Sequence, residues 1–186
     1  MSLPRYLLLL LCIQAVCIPA VAQLRLQVIT KTDRSDIIKV EAFDLSQQEI
    51  FDKPYNDTVT FNFNKTNIDC YNIRFIVNNK KISRQMWLDT GNITIKGTID
   101  NEKYIIDTVI NSPFYYQVQA YADSARVYGR TDTFTRNNFM LGEFRKHINN
   151  PFSLAIAHTY LLSNQNSMPR VLQLKELLDL QGDRFK

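Results

Sequence analysis

Between Leu24 and Ile110 apolar residues fall on every second position in short runs. Leu24, Leu26 and Val28 alternate with Arg25 and Gln27, and Ile38, Val40 and Ala42 repeat the pattern after a polar turn at 31–35. Val59, Phe61 and Phe63 make a third run, and Tyr71, Ile73, Phe75 and Val77 a fourth. Ile82, Met86 and Leu88 follow, interrupted by Arg84; then come Ile93, Ile95 and Ile99, and last Tyr104, Ile106 and Ile110. Period two places one set of side chains on one face of a strand, so the pattern predicts about seven strands at roughly ten-residue spacing. That is the signature of a mainly β fold, an antiparallel sandwich or an open barrel. Asn78-Asn79-Lys80-Lys81 and Asp100-Asn101 supply turn chemistry between runs.

After Asn111 the period lengthens. Ser112-Pro113 has the form of an N-cap followed by proline at the first helical position. Phe114, Val118, Tyr121 and Ala125 then lie on one helical face. Met140 and Phe144, with His147 or Ile148, predict a second helix. Asn150-Pro151 opens a third with Leu154, Ala157, His158 and Leu161 on one face. Ser167 and Pro169 start a fourth, carrying Val171, Leu174 and Leu178 and stopping near Gly182. The predicted organisation is therefore a leader at 1–22, an antiparallel β domain at 23–111, and a helical segment at 112–186 packed on or beside it. No flexible linker separates the last two.

The leader reading rests on Arg5, an apolar run from Leu7 to Cys17, and Ala20-Val21-Ala22 before Gln23, which together have the form of a secretory signal peptide. The apolar run is too short for a spanning helix, so no membrane-spanning segment is expected in the mature chain. A lipid anchor is the weaker alternative, because neither Cys12 nor Cys17 follows the small residue that a lipobox prefers. Removal of the leader leaves Cys70 alone, which excludes an internal disulfide and a C-x-x-C redox or metal motif. An exported chain with one cysteine depends on its hydrophobic core. The net charge of +4 over 186 residues, with Lys80-Lys81 as the densest basic spot, argues against a nucleic-acid partner.

The order of elements carries a likeness. Leu88, Gly91, Asn92, Ile93, Thr94, Ile95 and Gly97 form a turn and strand; Ser112 opens the first helix; Asn150, Pro151, Ser153 and Leu154 open the third. In these residues the chain resembles the uncharacterised N-terminal domain found ahead of AhpC/TSA and TlpA-like thioredoxin modules in bacterial envelope proteins. The likeness runs from about residue 24 to 180. It implies a location in the periplasm or cell envelope of a Gram-negative bacterium. It also implies an association with thiol–disulfide chemistry, through a partner that is a thioredoxin-like module or a second copy of the chain. The thioredoxin module itself does not appear in these residues. The resemblance thus implies either a non-catalytic accessory or binding module, or a truncated oxidoreductase whose missing part carries the C-x-x-C.

One tripeptide invites an enzymatic reading. Asp89-Thr90-Gly91 follows Trp87-Leu88 as the catalytic aspartate loop does in aspartic proteases. Those enzymes need two carboxylates sharing a proton, so a single copy requires a homodimer. Asp57-Thr58, Asp107-Thr108 and Asp132-Thr133 continue with Val, Val and Phe, and no second loop exists. The expected role of residues 89–92 is a hairpin turn with Gly91 or Asn92 at positive φ, and the homodimeric protease using Asp89 is the weaker alternative. Cys70 is expected to be an inert, partly buried thiol, although Arg74 shares its strand face. His147 and His158 lack a carboxylate at ligand spacing and read as boundary residues. Tyr115 and Tyr116 fall off the main stripe of the first helix and are the better candidates for a surface. No catalytic, cofactor-binding or metal-binding residue is therefore assigned, and no cofactor is expected.

Overall fold

The computed structural model describes residues 23–78, 80–129 and 132–181. The leader expected at 1–22 and the stop expected near Gly182 lie outside the described residues. The described residues fold as mainly β with a C-terminal α segment. Strands β1 (Leu24–Lys31), β2 (Ile37–Asp44), β3 (Ile50–Pro54), β4 (Thr58–Phe63), β5 (Asp69–Val77), β6 (Lys80–Leu88), β7 (Asn92–Asp100) and β8 (Lys103–Ile110) come first. Helices α1 (Pro113–Gly129), α2 (Thr133–Lys146), α3 (Phe152–Asn164) and α4 (Met168–Asp179) follow.

The strands form two four-stranded sheets, ordered β4-β1-β7-β8 and β3-β2-β5-β6, which makes the β region a sandwich. Every pairing is antiparallel except β1 with β7, which run parallel. The inward residues of both sheets interdigitate: Leu24, Leu26, Phe61, Ile93 and Ile95 from one, Tyr71, Ile73, Phe75 and Leu88 from the other. At the usual ~25 cal/mol per Å² of apolar surface, each such side chain contributes about 1.5–3 kcal/mol by leaving water. Gly97 lies inward on β7, where a Cβ would come within 2.6 Å of the Ile105 carbonyl oxygen and of the Tyr104 ring. The close approach leaves no room for a side chain there.

Three details depart from the expected pattern. An eighth strand, β3, runs along an edge with only Phe51 partly buried, so its sequence carries no alternation to read. A register shift between Ile37 and Lys39 turns Ile38 out to solvent and puts Ile37 in the core instead. A second shift between Lys96 and Gly97 leaves Ile110 exposed and turns Val109 inward. An extra residue in one strand flips every later side chain to the other face.

The helices bury a second core made of Phe114, Val118, Tyr121, Met140, Phe144, Phe152, Ile156, Tyr160 and Leu174, among others. The face expected for α1 is the buried one. For α3 it is so only in part: Ala157 is buried as expected, but Phe152, Ser153, Ile156, Tyr160 and Asn164 are buried too, whereas Leu161 is exposed and Leu154 only partly covered. That helix is apolar nearly all round, so its periodicity does not choose a face. Starts are chemically defined. Asp132 caps α2 by accepting from Thr135 N–H at 2.6 Å, and Asn150 Oδ1 accepts from Phe152 N–H at 2.9 Å before α3. Ser167 precedes α4 without a side-chain cap bond, and a proline stands in that helix's first turn.

Candidate functional site

Strand β6 ends at Leu88 and β7 begins at Asn92, and the two belong to different sheets. The turn at 89–91 is therefore a crossover between sheets and not the expected hairpin. Gly91 takes φ +98, a conformation that L side chains resist, and its carbonyl accepts from Arg25 N–H at 2.8 Å. Asp89 spends its polar groups locally. Its backbone N–H donates to Ser112 Oγ at 3.1 Å, and the Ser112 hydroxyl donates to Asp89 Oδ2 at 3.0 Å. Phe114 N–H donates to the same oxygen at 2.9 Å. A carboxylate there satisfies a first-turn N–H that has no partner within the helix and faces the positive end of the helix dipole. Capping was expected from Ser112 alone; Asp89 caps, and Ser112 bridges the two elements. The Asp-Thr-Gly tripeptide is a strut between sandwich and helix.

The residues after that strut complete the joint. Phe114 enters the helical core, its ring 6.4 Å from Trp87 and 6.1 Å from Phe152. Tyr115, one residue later, enters the sandwich core. That overturns its expected surface position, because α1 begins between the two cores and consecutive side chains point to opposite sides. Tyr116 is half exposed, but its hydroxyl is held: it accepts from Val109 N–H at 3.0 Å and pairs with Thr108 Oγ1 at 3.1 Å. It ties α1 to edge strand β8.

Cys70 pairs across the sheet with Trp87, on the outer face that the helices cover. It is fully buried rather than partly buried, and burial pushes its thiol up to about 12. A thiol in that state is not a nucleophile near neutral pH. Arg74 shares the face, but it pairs with Glu41 at 3.1 Å and lies over the Phe43 ring. His158 packs edge-on to Trp87, and burial lowers its pKa. His147 terminates α2 and packs edge-on to Phe152. Among the described residues no group of His, Cys, Asp and Glu gathers as a metal site would require.

No family model, curated protein or solved structure matches the chain. No described helix is long and apolar enough to cross a membrane.

Two of the concavities lined by charged residues differ in how that charge is balanced. At one end of the sandwich a cleft of about 630 Å³ has Val77 and Ile82 as its floor and Arg34, Lys80, Lys81 and Glu102 at its rim. Most of that rim is internally neutralised, since Arg34 pairs with Asp36 at 2.7 Å and Lys80 pairs with Glu102. The other is a groove of about 340 Å³ where α1, α2 and α3 meet. It was not anticipated, although its residues recur at helical spacing: Ala122, Ala125 and Gly129 on α1, Arg136 and Met140 on α2, Thr159 and Ser163 on α3.

Proposed function

We propose that the chain is a non-catalytic, exported cell-envelope module, an accessory or binding domain that works with thioredoxin-like thiol–disulfide oxidoreductases. The observation that carries this reading is where the residues of the family resemblance sit. Gly91 makes the crossover, Ser112 bridges it to α1, and Asn150 opens α3. The Ser153 hydroxyl donates to Asn150 O at 2.8 Å and accepts from Gln181 Nε2 at 2.8 Å. These are joints that dock the helices on the sandwich and on one another, which suits a family defined by architecture. The buried Cys70 supports a division of labour in which thiol exchange belongs to the partner.

The test is capture from an envelope extract on immobilised chain spanning residues 23–186. The expected result is enrichment of a protein carrying a C-x-x-C thioredoxin-like module, lost when the extract is pre-incubated with free chain. Capture that yields no such protein overturns the reading.

A further inference from the structure

The groove between α1, α2 and α3 presents positive charge. Arg126 and Arg136 both line it, and no acidic side chain among the described residues does. Arg126 pairs with Asp123 at 3.0 Å, but that pair is exposed, so solvent weakens its hold on the guanidinium. Arg136 has no ion-pair partner among the described residues, and its Nε is buried without a hydrogen-bond acceptor. An N–H donor in that state is costly unless something accepts from it, and a charged donor more so. Its aliphatic stem lies against α1 at Gly129, where a Cβ would stand 3.1 Å from Arg136 Cδ. The small residue leaves room for the arginine to lie in the groove.

The remaining lining gives the site two characters. Ala122, Ala125 and Met140 form an apolar wall. Ser163 adds an exposed hydroxyl, while the Thr159 hydroxyl donates back to the Ala155 carbonyl at 2.8 Å and so presents chiefly its methyl side. A volume of about 340 Å³ lies at the small end of ligand pockets, which run from roughly 300 to 1,000 Å³. Guanidinium groups match planar carboxylates with paired, charge-assisted hydrogen bonds. We propose that this groove is a binding site for a small organic carboxylate, its head held by Arg136 and Arg126 and its short apolar body lying along Ala122, Ala125 and Met140. The proposal is independent of a redox partner and goes beyond the accessory role.

Hexanoate is a suitable probe and hexanamide its uncharged control, with affinities measured by NMR titration of the chain spanning residues 23–186. Hexanoate is expected to bind saturably, moving the Ser163 amide and the Arg136 Nε–H signals, and to bind at least about tenfold more tightly than hexanamide. Arg136→Gln is expected to weaken hexanoate by about tenfold or more. Arg126→Gln replaces an exposed side chain, keeps the fold, and is expected to weaken it by a few fold. The second variant decides the matter if the first does not fold. Equal binding of hexanoate and hexanamide, hexanoate affinity unchanged in the folded arginine variants, or no saturable binding overturns the proposal.

Discussion

The sandwich and the helical segment solve the burial problem differently. In the sandwich, apolar residues of both sheets meet over one interior, and most charges stay on the outside. Lys39, Glu41, Asp52 and Arg74 pair on the outer face of the second sheet, and buried Asp44 is matched by Lys65 at 2.7 Å. The helical segment has an apolar core of its own, yet it also buries an amide pair and exposes more large apolar side chains than the strands do. Asn137 and Asn164 exchange two buried amide hydrogen bonds at 2.9 and 3.0 Å. Val127, Phe134, Leu162, Met168 and Leu172 face solvent. Both regions expose large apolar side chains, Ile38, Ile50 and Ile105 on the strands among them, so the difference is one of degree: the helices carry more of that surface.

The two regions nonetheless share a seam. Cys70 and Trp87 belong to strands of the sandwich but are buried in the helical core. The largest test of the comparison removes one aromatic from each side. Phe75→Ala and Phe144→Ala are each expected to cost about 3–5 kcal/mol, since both rings are fully buried. Urea unfolding is followed by the fluorescence of Trp87, the single tryptophan, and by far-UV circular dichroism. Because the seam is shared, the two probes are expected to give one coincident transition in both variants. Loss of helix at lower urea than loss of sheet in Phe144→Ala would show two independently cooperative units and break the comparison in its present form.

The next test cuts the strut. Asp89→Ala removes the acceptor at Phe114 N–H and is expected to cost about 1–2 kcal/mol. Asp89→Asn keeps an oxygen there but loses the charge facing the helix dipole, so it is expected to cost less. Since Asp89 and Ser112 act as one bridge, Ser112→Ala combined with Asp89→Ala is expected to cost less than the sum of the single changes. Additive losses in urea midpoints would show that the two residues work separately.

How far the sequence exposes all this depends on the range of each interaction. The α1 face of Phe114, Val118, Tyr121 and Ala125 was legible because one side of that helix is buried and the other wet. The α3 face was not, because Leu154, Leu161 and Leu162 are as apolar as the residues that are buried. Strand β3 escaped because an edge strand buries little, and Pro54 reads as a break. The alternation groups Ile38 with Val40 and Ala42, because a bulge leaves no mark in it. Residues 89–91 were legible as a turn from Gly91. That the turn joins two sheets, and that Asp89 caps a helix starting at Pro113, are long-range facts that local spacing does not carry. The arginine groove likewise assembles three helices, and only the spacing within each one was visible.

The smallest expected effect concerns acid. Burial alone raises the Asp44 carboxyl, but Lys65, the Ser46 hydroxyl and Glu49 N–H outweigh it and hold it below its ordinary value. Glu41 is also held low, with Lys39 and Arg74 overcoming burial. A carboxyl depressed in the folded state contributes stability above its unfolded pKa, about 4, and that contribution is lost as pH falls through the lower folded value. Stability from urea midpoints is therefore expected to hold from pH 7 to about 5 and to decline below about 4. The Asp44→Asn variant is expected to decline less steeply over that range. A slope equal to that of the parent would move the acid sensitivity elsewhere, with the exposed Asp132 cap of α2 the next group to examine.

The place of β1 in its sheet has a consequence for synthesis. It is an interior strand, with Leu26 opposite Phe61 on one side and Ile93 on the other. The first of the described strands to leave the ribosome thus lacks its parallel neighbour until the segment through Asp100 has emerged. Contacts between such distant segments form slowly, and the apolar row of Leu24, Leu26 and Val28 stays open to chaperones meanwhile.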